Sequence, residues 1–445
     1  MKDLNESMEL IVSRLKSNKI RMWDIYCNNT NIYENQFRKS DIEITRQAVD
    51  FYYIIRVFYE RGNQFGIGIV KANSLEPQHL DSFINQAQQL AKLNKIPKYE
   101  LPQSGQAYPD IKLAEGEILT DPEGVLREKS EELTSIVQDL TQIKPTFGKL
   151  RIYISTKALR NSEALDLTDC KTSLFLEYPL KAEENGKLAE FWGRTEVKNL
   201  NQLDFQNRLP KWAEIAVDSL HTKVPPPASS ITAIFPPKIA NDAFSSTIGH
   251  HATGVALSDG ISKFKRGEDV AVESFSLQDN GIMSDGIAVA NWDGEGNPQR
   301  STALIEQGKF LNYLFDQKYA KLEKTQSTGN GLRTSDGTIV NSITNLEIPA
   351  GSESVDELIA SVEFGILIEE FSWLNPSEVS GDFGAEIRNG YLIEHGEKTT
   401  PIKGGNLSGN TFEMVKAILG SSKERITEEN YKFPYLKFSG LTLSS

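Results

Sequence analysis

Residues 51–70 read FYYIIRVFYERGNQFGIGIV, and this stretch decides the fold class. Two runs of β-branched and aromatic residues meet at Arg61-Gly62-Asn63, the composition of two strands joined by a turn. Helices flank the pair. Upstream, Leu4, Met8, Ile11, Val12 and Leu15 recur at helical spacing. Downstream, Pro77 opens a helix with Leu80, Phe83, Ile84, Ala87, Leu90 and Ala91 on one stripe. Strands and helices in this order give an α+β class.

Working outward, residues 96–117 read as a linker, and a helix follows Asp121-Pro122 with Val125, Leu126, Leu133, Ile136, Val137 and Leu140 inward. A strand is expected at 150–155. A long hairpin follows, SLFLEYPL with LAEFWGRTEV, turning at Glu184-Asn185-Gly186, and then a short helix from Trp212 to Leu220. Pro225-Pro226-Pro227 stops both helix and sheet and marks the clearest boundary. Three units result: 1–95, 96–224 and 225–445. The expected architecture is N-terminal α/β units followed by a mainly β C-terminal domain, with helical exceptions at 237–251 and 354–361. The polar segment 421–432 is expected to be a tail before a closing strand, PYLKFSGLTL.

The chain has 445 residues, 39% apolar and 24% charged, enough to bury a core. Its 48 basic and 61 acidic side chains leave a net charge of −13. Such a surface is a poor match for nucleic acid or an anionic membrane. No apolar run approaches the ~20 residues that span a bilayer, and MKDLNESMEL is not a signal peptide. A cytoplasmic location is expected. Cys27 and Cys170 belong to no C-x-x-C pair.

Five histidines limit metal and acid–base chemistry. His79 and His221 are expected at the surface. His250 and His251 end the helix that opens at Pro237. Its apolar stripe is Ile239, Ala240, Ala243, Phe244 and Ile248, with His251 near the middle and His250 at the edge. A helical zinc site wants histidines at i and i+4, but Ser246 and Thr247 stand four residues before the pair. The loop Thr328-Gly329-Asn330-Gly331 lacks the Lys-Ser/Thr ending of a phosphate loop. Glu369 and Glu370 read as a solvated edge, and no G-x-S-x-G elbow occurs. From the residues alone the activity stays open.

The order of several stretches nevertheless resembles the TldD/PmbA family over nearly the whole chain. They include STIGHHATGVALSDGISKF (246–264), ALIEQGKFLNYLFD (303–316), TGNGLR (328–333), TNLEIPAG (344–351) and SGDFGAEIRNGYLIEHGEKTTPIKGGNLSGN (380–410). The resemblance implies a proteolytic system of two subunits, TldD-like and TldE-like, acting on peptides and unfolded segments. In the TldD branch a His-Glu-x-x-x-His helix and a downstream Cys hold the metal. That frame falls here on residues 245–250. Ser245 replaces the first His, Ser246 replaces the Glu, and only His250 matches. The segment SSKERITEENYKFPYLKF has no cysteine. A catalytic zinc needs about three protein ligands and an open position, and no carboxylate stands at 246 to take a proton.

The resemblance is therefore to the TldE (PmbA) branch. It implies a subunit with no cofactor of its own, and zinc in a TldD-like partner. A homodimer is a further possible assembly. The rivals are an active peptidase with a divergent metal site at His250, and a stand-alone peptide-binding protein. Candidate peptide contacts are Thr328, Gly329, Asn330, Gly331, Arg333, Ser380 and Gly381, where glycines would let a peptide backbone approach. The strands expected in LIEQGKFLNYLF, TNLEI and GYLIEHG would offer main-chain hydrogen bonds to an extended peptide.

Overall fold

Gly62 takes a left-handed φ of 59°, and around it Asp41–Arg61 folds back on Gln64–Ala72. In this computed structural model, which describes residues 4–445, that pair sits in a seven-stranded antiparallel sheet. Its order is Arg194–Val197, Asp166–Glu177, Phe147–Asn161, Met22–Arg38, Asp41–Arg61, Gln64–Ala72 and Ile96–Pro97. Residues from 1–95 and 96–224 thus share one sheet, because Met22–Arg38 pairs along Phe147–Asn161.

Two cores lie on this sheet. Helices Leu4–Ser17 and Pro77–Ala91 bury Met8, Ile11, Leu80 and Ile84 against Ile25, Ile55 and Val57. The backbone of Pro77–Ala91 lies directly on the strand. A Cβ at Gly66 would fall 1.6 Å from the Ala91 carbonyl oxygen, and one at Gly68 1.7 Å from that of Ala87. The second core joins helices Pro122–Asp139 and Phe205–Asp218 to Leu150, Ile152, Leu174 and Leu176.

The expected long hairpin divides. Its first run belongs to Asp166–Glu177 in the large sheet, whereas Leu180–Glu184 pairs with Lys187–Phe191 and Ile143–Pro145 in a separate small sheet. The helix expected from Trp212 starts at Phe205, with Pro210 inside its first turns.

Beyond the prolines, Ala228–Phe235 pairs with Phe364–Phe371, then come Asp382–Glu394, Asn406–Asn410 and Tyr431–Ser444. Tyr431–Ser444 pairs back onto Ala228–Phe235, which closes a five-stranded barrel. The helix Pro237–Phe244 buries Ile239, Ala243 and Phe244 in the same core as Phe235, Ile366 and Phe438.

Two expectations fail here. The segment 421–432 is no tail: Ile418–Glu428 forms a hairpin with Tyr431–Ser444. Most of its side chains stay outside the core, and of Ile418–Glu428 only Ser422 is fully buried, so no apolar alternation announces it. Nor are two of the three strands proposed to take a peptide free to do so. Leu346–Glu347 lies between Leu277–Asn280 and Tyr431–Ser444. Asp382–Glu394, which contains GYLIE, is paired on both sides. Of the three, only Lys309–Phe310 ends the sheet.

Candidate functional site

The helix from Pro237 changes pitch where the family's metal motif would stand. It is α-helical to Phe244 and π-helical over Ser245–Gly249, with the His250 N–H reaching the Ser245 carbonyl. In an α-helix, residues five apart point ~140° away from each other. In the i→i+5 bonding of a π-helix they lie about one turn apart. The backbone thus brings positions 245 and 250 toward one side, as a pair of ligands five residues apart requires.

The side chains differ from such a pair. Ser245 and Ser246 are half-buried hydroxyls. His250 is 23% exposed, and its Nδ1 lies 3.2 Å from Glu378 Oε1, which is 59% exposed. One imidazole and one exposed carboxylate, with two hydroxyls, do not fit a catalytic zinc that takes about three imidazole, thiolate or carboxylate ligands.

His251 is wholly buried, as its place on the apolar stripe predicts. Its Nε2–H donates to the Glu378 carbonyl at 2.7 Å, and its Nδ1 accepts from the Lys263 N–H at 2.9 Å. Phe412 packs on the ring with centroids 4.7 Å apart. Burial pushes its pKa down, and an Nδ1 that accepts a backbone N–H has no room for a second proton. His79 bonds Ser74 and His221 faces Glu184, both at the surface.

The Gly-rich loop at 328–331 is built inward. Asn330, 2% exposed, donates to Asp279 Oδ2 at 2.8 Å and to the Ser342 carbonyl at 3.0 Å. Thr328 bonds Asn330 and Phe315. A Cβ on Gly329 would meet the Pro298 carbonyl at 2.7 Å, and one on Gly331 would meet Glu295 at 2.8 Å. These glycines therefore make room for the protein's own atoms and not for a peptide backbone. Gly381 is alike, with Phe412 2.5 Å from its would-be Cβ. Ser380 and Gly381 follow Glu378 beside the histidines, apart from the loop at 328–333.

Arg333 leaves this loop for the N-terminal sheet. It lies 3.2 Å from Asp24 Oδ1, and Arg56 pairs with the same carboxylate. Burial opposes the Asp24 charge, but the two guanidinium groups win and hold its pKa down. Nearby, burial pushes Asp293, Glu295 and Asp316 up, helped for Glu295 by the other two carboxylates.

The outer side of the loop lines a cavity of about 230 Å³ between the C-terminal domain and the N-terminal sheet. Gly329, Asn330, Gly331 and Arg333 border it, but Ser380 and Gly381 do not. Its floor was not foreseen from sequence. Ser155 faces Lys171 and Lys157 faces Asp169 across adjacent strands, and strand alternation puts all four on one face. The only sequence signal is polar residues two apart in ISTKAL and TDCKTS, a pattern that equally marks a solvated face.

Residues 228–445 match the family model described as PmbA/TldA metallopeptidase C-terminal domain. An uncharacterized protein of Methanocaldococcus jannaschii is 34% identical over 41% of this chain and 44% of its own length. A metalloprotease TldD homolog of Buchnera aphidicola is 33% identical over 38% of this chain and 36% of its own. The chain thus aligns with less than half the length of these relatives. The crystal structure of TldE from Thermococcus kodakarensis superposes with a TM-score of 0.87 at 22% identity, covering 99% of this chain and 100% of that one, and so shares its fold. The C-terminal half of the chain, residues 228–445, is thus a domain of the PmbA/TldD type.

Proposed function

We propose that the chain is a TldE-like, non-catalytic subunit that pairs with a TldD-like metalloprotease to process peptides and unfolded segments in the cytoplasm. The observation that carries the reading is the helix at 237–251. Its π turn keeps the backbone register of a ligand pair at 245 and 250, while Ser245 and Ser246 supply neither imidazole nor carboxylate. The one ion-pair partner of His250 among the described residues is Glu378. The metal and the water it activates belong to the partner, and this chain limits what enters. The fold shared with TldE supports the same branch. None of the chain's helices is long and apolar enough to cross a membrane among the described residues.

Two measurements test the proposal. Elemental analysis after purification without chelator is expected to give far less than one zinc per chain. Co-expression with a TldD-like subunit is expected to give a heterodimer whose peptidase activity a chelator abolishes, while this chain alone leaves casein intact. The His250–Glu378 pair favours one rival, a divergent metal site. About one zinc per chain, lost on His250→Ala, would establish that rival.

A further inference from the structure

We propose that the cavity beneath the loop at 328–333 is a carboxylate-binding site, taking a small organic acid or the C-terminal carboxylate of a peptide. The inference stands whether or not the chain pairs with a protease.

Three cationic side chains converge on the cavity: Lys157 and Lys171 from the sheet and Arg333 from the loop. Arg333 is 3% exposed. Its Nε donates to the Gly294 carbonyl at 2.9 Å; Nη1 faces Asp24 Oδ1 at 3.2 Å without hydrogen-bond geometry, and Nη2 has no hydrogen-bond partner among the described residues. A buried guanidinium with a donor left over is costly, and a carboxylate oxygen is a strong acceptor for it. The Lys157 ammonium makes no hydrogen bond or ion pair among the described residues, and feels Asp169 only through space. Lys171 Nζ is steered into place by the Ile287 and Val289 carbonyls, the latter at 3.1 Å, which leaves it a third hydrogen.

The acids at the cavity cancel only part of this charge: Asp24 faces Arg333 but is shared with Arg56, and Asp169 lies opposite Lys157 on the neighbouring strand. Asp293 is saturated by the N–H groups of Glu295, Gly296, Asn297 and Gly331. Asp169 accepts from Asn291 Nδ2 at 3.0 Å and pairs with neither lysine. In a chain of net charge −13, an enclosed surplus of cations is not a generic surface.

Size narrows the ligand. About 230 Å³ is far more than one water needs, and lies below the ~300 Å³ at which pockets for drug-sized ligands begin. A four- or five-carbon acid fits, or the last residue or two of a peptide. Leu113, Val289 and Trp292 supply apolar wall. Burial also strains these charges. Burial, then Lys157 and Lys198, push Lys171 down to about 7, and burial pushes Lys157 down. An anion among them would relieve both.

The test is calorimetric titration of the full chain with succinate, with N-acetyl-trialanine as free acid and as C-terminal amide, and with inorganic phosphate. Binding of succinate or of the free-acid peptide is expected, weakened at least tenfold by Lys157→Met and by Lys171→Met. Binding of succinate alone assigns a small acid, and binding of the free-acid peptide assigns a chain terminus. Because the Lys157 ammonium has no hydrogen bond or ion pair to lose, and burial opposes its charge, Lys157→Met is expected to keep the thermal midpoint of the unliganded protein, which separates lost binding from lost folding. The proposal is overturned if neither carboxylate binds, if the amide or phosphate binds as well as the acids, or if both variants bind like the parent.

Discussion

His251→Ala removes a side chain that the fold holds at three points. The Glu378 carbonyl and the Lys263 N–H lose partners at 2.7 and 2.9 Å, and Phe412 loses the ring on which it packs. Two hydrogen bonds at about 1 kcal/mol each, a stranded backbone N–H, and a void at a wholly buried position together cost about 3–5 kcal/mol. His251→Gln keeps a donor for Glu378 and is expected to cost about 1–2 kcal/mol.

The pair also isolates a pH term. The folded pKa is pushed below the ordinary 6.5, so below that pH the unfolded chain takes up a proton that the folded chain refuses. The contribution of His251 is complete above pH 6.5 and is lost as pH falls from there through the folded value, by up to about 1.4 kcal/mol per unit. Gln cannot titrate, so the stability gap between parent and His251→Gln should narrow between pH 7.5 and 5.5. Urea unfolding of both proteins at several pH values measures it. A gap that stays constant would refute the neutral tautomer. Unchanged stability of His251→Ala, with activity lost in an assembled protease, would refute the core role altogether.

Two further substitutions probe the scaffold. Gly68→Ala sets a methyl 1.7 Å from the Ala87 carbonyl oxygen, so the helix Pro77–Ala91 must shift. A loss above ~3 kcal/mol is expected by thermal melting, and a melting point within a degree of the parent would contradict the contact. Asp24→Asn leaves Arg56 and Arg333 buried without their common carboxylate, expected to cost about 3–5 kcal/mol, with Asp24→Glu in urea unfolding as the control.

Where one face of an element is apolar, sequence read well. The stripes at Leu4–Ser17, Pro77–Ala91 and Pro122–Asp139 are helices, and the stripe ending at His251 placed that residue in the core. Polar strands did not read. Ile418–Glu428 is held by backbone pairing, and Lys157 and Lys171 lie on a strand face that looks solvated until the C-terminal domain covers it. The glycines near residue 330 were legible as constraints but not in their purpose. A Gly dictates close approach without saying whether the approaching atom is a ligand's or the protein's own, and here it is the protein's. The change of pitch at Ser245 was equally hidden, since a helical wheel assumes one pitch throughout.

The closed barrel has a consequence for the order in which this domain can form. Its closing seam joins Ala228–Phe235 to Tyr431–Ser444, segments roughly 200 residues apart, and pairings of such long range form slowly because loop entropy is lost before contacts reward it. During synthesis the strand Ala228–Phe235 waits, with one edge unsatisfied, for a partner not yet made. Every residue translated in between lengthens the interval in which that edge can meet another chain, an exposure that favours misassembly. A nascent chain halted before residue 431 would thus keep an open sheet, and its affinity for chaperones should fall only when the last strand becomes free to pair.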